Sequence, residues 1–114
     1  GPNVVIGRGA VVRDSIIMRN SQIGEDTVLD KAIVAEDVVI GNKVTLGFGE
    51  EAANVLKPAV YAFGLATVGE RSVIPDNVKI GRNTAISGVT TAEDYPGGIL
   101  ESGQVIKAKD GEQA

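Results

Sequence analysis

Ile6-Gly7-Arg8-Gly9, Ile23-Gly24-Glu25-Asp26 and Ile40-Gly41-Asn42-Lys43 stand 17 residues apart within the stretch from Val4 to Leu46. Through that stretch aliphatic residues return every five or six positions, at Ile6, Val12, Ile17, Ile23, Leu29, Val34, Ile40 and Leu46. After an interruption the beat resumes at Val68, Ile74, Ile80 and Ile86. An amphipathic helix would place apolar residues at i, i+3, i+4 and i+7 instead, and Gly and β-branched residues are too frequent here for helices. Two residues before each aliphatic stands a second column of small or β-branched residues: Val4, Ala10, Ser15, Ser21, Thr27, Ala32, Val38, Val44, Ala66, Ser72, Val78 and Thr84. Such a column suits a tight bend where only a small group fits inward. Each hexad therefore reads as one short strand plus one turn, and three hexads as one triangular coil. The fold class is all-β, a parallel solenoid of hexapeptide repeats with about four coils. Its coils stack by strand pairing about 4.8 Å apart.

The charges test that stack. Residues 17 apart should lie above one another, and the charged pairs at that offset are Arg8–Glu25, Arg13–Asp30, Asp14–Lys31, Arg19–Glu36 and Asp26–Lys43. Every pair is of opposite sign. Cross-strand neighbours of opposite charge contribute about 0.2–1 kcal/mol each, so these are modest stabilisers of the exterior rather than sites.

Composition narrows the function. The 114 residues suffice for one domain, 43% of them are hydrophobic, and only four are aromatic. A thin aliphatic core has no need of large rings. The net charge is −4 with no basic run, which argues against nucleic acid as a partner, because phosphate binding needs clustered Lys and Arg. No apolar run approaches the roughly 20 residues of a membrane span. Without Cys there are no disulfides, thiolate metal sites or Cys nucleophiles, in keeping with a cytoplasmic origin. Gly1-Pro2 resembles a protease-cleavage scar and is set aside.

Residues 3–109 form the solenoid domain, and Asp110 to Ala114 are expected to fray. Within it, 47–65 break the beat and hold Phe48, Tyr61 and Phe63, together with Glu50-Glu51 and Lys57-Pro58. This reads as a long loop leaving the stack between two faces of the third coil. Val55, Leu56, Val60, Tyr61 and Phe63 either pack back on a face or form a subunit or domain contact. Residues 92–109 form a C-terminal turn around Asp94-Tyr95-Pro96-Gly97-Gly98 and a closing strand over Gln104 to Lys107. The repeat already runs at Val4, so the first coil has no cap of its own and is expected to be covered by other protein.

Catalysis finds little to work with. Hexad solenoids are best known as acyltransferases, which typically use a His base, and some are zinc-dependent carbonic anhydrases. This chain has no His, so neither chemistry is available in its usual form. Glu25-Asp26 and Glu36-Asp37 fall at exposed corners and read as solvated charge rather than metal ligands. The hexad glycines serve turn geometry, not a phosphate-cradling loop before a helix. Ser and Thr sit at corners with no base to activate them.

Val12-Arg13-Asp14-Ser15-Ile16-Ile17-Met18, Ile23-Gly24-Glu25-Asp26, Ile80-Gly81-Arg82-Asn83 and the run from Gly64 to Asn77 (Gly64-Leu65-Ala66-Thr67-Val68-Gly69-Glu70-Arg71-Ser72-Val73-Ile74-Pro75-Asp76-Asn77) resemble the C-terminal domain of bacterial glucose-1-phosphate adenylyltransferases (ADP-glucose pyrophosphorylases). The resemblance implies a left-handed parallel β-helix. It further implies an N-terminal nucleotidyltransferase domain, outside this chain, that makes ADP-glucose and pyrophosphate from ATP and glucose 1-phosphate with Mg²⁺ for glycogen synthesis. The β-helix domain itself then holds no cofactor, supports assembly into a tetramer, and contributes to a sugar-phosphate effector site at the domain boundary. Glu70, Arg71, Lys57 and Arg82 are the candidate effector-binding residues. Relatives commonly carry Lys where this chain has Glu70, and an acidic group there opposes a phosphate, which points to a different effector, to Arg71 as substitute, or to a regulatory-type subunit. The alternatives are the equivalent domain of another sugar-nucleotide pyrophosphorylase, a His-less hexapeptide acyltransferase, and a purely structural solenoid.

Overall fold

A computed structural model of the chain describes residues 2–50, 52–56, 59 and 63–108. The repeat folds as short strands: β1 (Val5–Ile6), β2 (Val11–Arg13), β3 (Ile16–Ile17), β4 (Gln22–Ile23), β5 (Val28–Asp30), β6 (Ala32–Val34), β7 (Val39–Ile40) and β8 (Thr45–Phe48). Beyond the interruption come β9 (Ala66–Val68), β10 (Val73–Ile74), β11 (Lys79–Gly81) and β12 (Thr84–Ser87). The tail adds β13 (Ile99–Leu100) and β14 (Val105–Lys107).

All pairings are parallel and make three faces. The first face stacks β1-β4-β7-β10, the second β2-β5-β8-β11-β13, and the third β3-β6-β9-β12-β14. Val5 pairs with Gln22, Val11 with Val28 and Ile16 with Ile33, the 17-residue register expected from the repeat. Val89 adds a fifth rung to the first face as a bridge to Val73. The solenoid thus has about five turns rather than the four counted from the beat. The fifth was hidden because its register step is 20 residues, Lys79 to Ile99 and Ala85 to Val105.

From Ile23 onward every aliphatic of the inward column is buried, and so is every member of the small-residue column from Ser21 onward. The hydroxyls in that second column do more than fit. Ser21 Oγ accepts from the Val38 amide at 3.1 Å and donates to the Ala35 carbonyl at 2.7 Å. Thr27 Oγ1 repeats the pattern one corner on, with the Val44 amide and the Gly41 carbonyl. A buried hydroxyl in water-free surroundings needs such partners, and here they tie one coil to the next.

The corners have a shared device. The residue just before eleven of the twelve small inward groups takes a left-handed backbone, at Asn3, Gly9, Asp14, Asn20, Asp26, Lys31, Asp37, Lys43, Arg71, Asn77 and Asn83; Leu65 before Ala66 is the exception. Asn, Asp and Gly tolerate that region best, which accounts for their regular spacing. Of the five charge pairs, Arg13–Asp30 (3.9 Å) and Arg19–Glu36 (3.2 Å) close; among the described residues the other three do not. Their side chains extend into solvent, where pairing gains little over hydration.

The first coil is open, as its unpaired repeat implied: Val4, Ala10 and Ile17 are only partly buried, and Ile6 is 50% exposed. The frayed end expected at 110–114 lies outside the described residues, as does Gly1.

Candidate functional site

The sequence read the interruption as a loop between two faces, and the structure places it at the corner between the second and third faces. That corner is the tightest in the repeat, with five-residue steps from Val12 to Ile17 and from Leu29 to Val34. The chain departs at Gly47, whose positive φ (95°) and contact with the Asp30 carbonyl leave no room for a Cβ. It returns at β9 with the stack undisturbed, since Ala32 pairs directly with Ala66 and Val34 with Val68.

Among the described residues of the insert, buried polar contacts tie it to the stack. Asn54 and Asn83 are both buried and each clasps the other's segment of chain. Asn54 Nδ2 donates to the Asn83 carbonyl at 2.7 Å, Asn83 Nδ2 donates to the Ala52 carbonyl at 3.0 Å, and Asn83 Oδ1 accepts from the Gly64 amide at 2.8 Å. The Val55 amide donates to the Gly103 carbonyl at 2.8 Å, carrying the strap down to the last coil. Val55, Leu56 and Phe63 stay 67%, 50% and 80% exposed. Of the two readings open for these residues, packing back against a face therefore fails for Val55 and Phe63. Val60 and Tyr61 lie outside the described residues. Phe48 is the last residue of β8, and Lys79 Nζ sits 5.1 Å from its ring centre, a favourable cation–π distance.

Beneath the insert, Leu56 roofs a cavity of about 120 Å³ on the lower third face, lined also by Thr67, Ala85, Ser87, Val105 and Lys107. Gly69 forms part of its wall, and Glu70 and Arg71 come directly after it at the corner between the third and first faces. Arg71 Nη2 lies 3.8 Å from Glu70 Oε1, with both side chains more than half exposed. Arg82 lies at a different corner. Its guanidinium donates to the Gly49 carbonyl at 2.9 Å and to Asp30 at 3.2 Å. Because the insert has left the third coil's corner vacant, Arg82 reaches across that gap to a carboxylate two coils away. Lys57 lies outside the described residues. The structure thus puts Glu70 and Arg71 together and separates Arg82 from them.

Among the described residues no group of three or more His, Cys, Asp or Glu is arranged to hold a metal ion. No helix of the described residues is long and apolar enough to cross a membrane. Burial pushes the Tyr95 phenol above its usual value, against the effect of its hydrogen bond with Thr90 and with the nearby Asp94 adding to the rise. Tyr95 is 1% exposed and belongs to the core cluster, and its hydroxyl lies 2.9 Å from Thr90 Oγ1. The sequence pointed to a turn at this place, and a turn is present, built of two short 3₁₀ segments at Ala92–Asp94 and Pro96–Gly98. It gave no sign that the ring would turn inward.

Residues 1–55 match the family model for the GlmU-like, C-terminal hexapeptide. The chain is 42% identical to the glucose-1-phosphate adenylyltransferase of Acetivibrio thermocellus over 92% of its length. It is 65% identical to that of Lachnospira eligens over 65 residues, 56% of the chain, and 44% identical to that of Thermotoga maritima over 94% of the chain. The matched stretch spans only 25%, 15% and 25% of the length of these relatives respectively. By its residues and its solenoid, this chain is a relative of the hexapeptide-repeat region of the glucose-1-phosphate adenylyltransferases.

Proposed function

We propose that the chain is the regulatory and assembly domain of a glucose-1-phosphate adenylyltransferase and contributes no catalytic residue of its own. The parent enzyme would join ATP and glucose 1-phosphate, with Mg²⁺, to give ADP-glucose and pyrophosphate for glycogen synthesis in the cytoplasm. Its catalytic domain would lie outside this chain, with the open first coil as the place where other protein covers Ile6, Val12 and Ile17. The observation that carries the reading is the 42% identity across 92% of the chain to an enzyme of that name.

The effector half of the reading rests on the corner at Glu70-Arg71. Arg71 would meet the phosphate of a sugar-phosphate effector, with Glu70 turned aside from its present ion pair and Lys57 supplying further charge. Arg82 fits this role less well, since Asp30 and Gly49 already use its guanidinium. The test is the full-length enzyme assayed for pyrophosphate release from ATP and glucose 1-phosphate, with fructose 1,6-bisphosphate as trial activator. Activity is expected, and Arg71→Ala should raise the activation constant with the unactivated rate unchanged. A full-length protein that makes no ADP-glucose would remove the reading. An activation constant indifferent to Arg71→Ala would remove only the effector site.

A further inference from the structure

We infer that the cavity on the lower third face binds a small aliphatic carboxylate, with the Lys107 ammonium holding the carboxylate and the sheet beneath Leu56 holding the aliphatic chain. Ligand and residues are distinct from those of the proposed effector corner, which takes a phosphate at Arg71. Five hexads carry Gly directly after the inward aliphatic, at Gly7, Gly24, Gly41, Gly69 and Gly81. At Gly7, Gly24, Gly41 and Gly81 a Cβ would collide with the backbone of the following coil. At Gly69 the backbone is not left-handed, and a Cβ would meet nothing nearer than Ser87 Cβ at 3.4 Å, an ordinary contact. Neither the turn nor the stack requires glycine there. What the missing side chain leaves is open space, because Gly69 forms part of the cavity wall.

The cavity is amphipathic by rows. Thr67, Ala85 and Val105 stand side by side on successive rungs, in the register of β9, β12 and β14. Two residues further along each strand, and so on the same side of the sheet, come Gly69, Ser87 and Lys107. Ser87 pairs with Lys107, and the Gly69 amide donates to the Ile86 carbonyl at 2.8 Å. The first row is mainly apolar, and the second ends in a hydroxyl and an ammonium. Among the described residues the side chains of Thr67, Ser87 and Lys107 have no hydrogen-bond or ion-pair partner. Leu56 is fixed over the cavity: its amide donates to Asn54 Oδ1 at 2.9 Å, and Asn54 is itself clasped to Asn83. The buried Asn54 thus preorganises the roof, which lowers the ordering cost of binding.

An apolar floor with a few converging polar groups is the usual make-up of a small-molecule site. Size and charge then select the ligand. An apolar cavity of about 150 Å³ holds a benzene ring, so about 120 Å³ holds a chain of about four carbons. Among the described residues Lys107 is the only cation that lines the cavity, and Glu70 at the adjoining corner opposes a second negative charge. A monoanion fits these surroundings and a bisphosphate does not. Ser87, beside Lys107, supplies a hydroxyl donor for the second carboxylate oxygen.

Titration of the chain with sodium butyrate, followed by amide NMR, tests the inference. Butyrate should shift the signals of Gly69, Ser87 and Lys107 saturably. Acetate and n-butanol should each bind about tenfold or more weakly, since each keeps only one half of the ligand. Gly69→Val, which fills the cavity from its wall, should abolish the shifts. Lys107→Gln should raise the dissociation constant about tenfold, and Arg71→Ala should leave it unchanged. Circular dichroism would establish that each variant is folded, and Gly69→Ala, which adds a single methyl and should weaken binding, takes the place of Gly69→Val if that variant is not. Absence of saturable shifts with butyrate overturns the inference, as does binding that persists in the Gly69 variant or is indifferent to Lys107→Gln. A constant moved by Arg71→Ala as strongly as by Lys107→Gln overturns the placement of the carboxylate at Lys107. The assay of pyrophosphate release reads the proposed function separately, so either can fail alone.

Discussion

At the N-terminal end of the solenoid the inward residues Ile6 and Val12 are 50% and 37% exposed, whereas at the C-terminal end Tyr95 and Leu100 are 1% and 8% exposed. Both ends belong to the same repeat, so the difference lies in the cover each one receives. Past Thr90 the chain makes an excursion of two 3₁₀ turns that folds a ring into the core, then lays β13 and β14 on the stack. The first coil carries the correct inward columns, but none of the described residues stacks above it. A repeat thus specifies which side chains point inward, while their burial depends on the neighbouring coil, as expected for an array held by nearest-neighbour contacts.

Unplugging the closed end should have the largest effect on this asymmetry. Tyr95→Ala should cost about 3–5 kcal/mol in chemical denaturation, the usual range for truncating a buried aromatic. Slightly smaller is the contrast between equivalent inward positions: Ile23→Ala should cost about 2–4 kcal/mol and Ile6→Ala less than about 1, because a residue already half exposed has little burial to lose. Equal costs at the two positions would show that the first coil is covered in solution.

Asn83→Ala probes the same contrast from the side of the stack. It removes the contacts to Ala52 and Gly64 and leaves both of those backbone groups without their partner, at about 1–3 kcal/mol. Amide exchange should then quicken at residues 99–107, which the insert straps through Gly103, and remain slow at residues 22–40. Uniform quickening would mean that the strap and the stack unfold as one unit. The smallest effect is electrostatic. Burial raises the Tyr95 pKa in the fold, so above its ordinary value the folded state holds a proton that the unfolded state releases. That contribution to stability is complete below about pH 10 and is lost as pH rises further. Tyr95→Phe should cost about 1 kcal/mol at neutral pH, through the lost contact with Thr90, and should flatten the alkaline decline.

The same division between repeat and exception governed how much of the molecule its residues disclosed. The inward columns were legible because period and burial enforce each other at every rung. The left-handed corner column went unread: Asn20, Asp26, Asp37 and Asn77 suit that backbone, but Lys31, Lys43 and Arg71 hold it against preference and blur the pattern. The Asn54–Asn83 clasp was not legible: the residues are 29 apart, and what joins them is the path of an insert that has no period. Arg82 read as a charged corner residue open to a ligand. Its engagement by Asp30 appears only once the insert has emptied the corner between them. Tyr95 lay in a cluster of turn-forming residues, a composition that signals a bend and is silent on which way a side chain faces.

Across the insert the strands behave as though the intervening chain had zero length: Ala32 pairs with Ala66, and the Ala32 amide reaches Ser15 on the coil before it in the ordinary 17-residue register. Closing a longer segment between fixed ends costs only about 0.6 kcal/mol per doubling. The corner at Gly47 is therefore a port in the solenoid: sequence can be added or exchanged there while the trunk keeps its count.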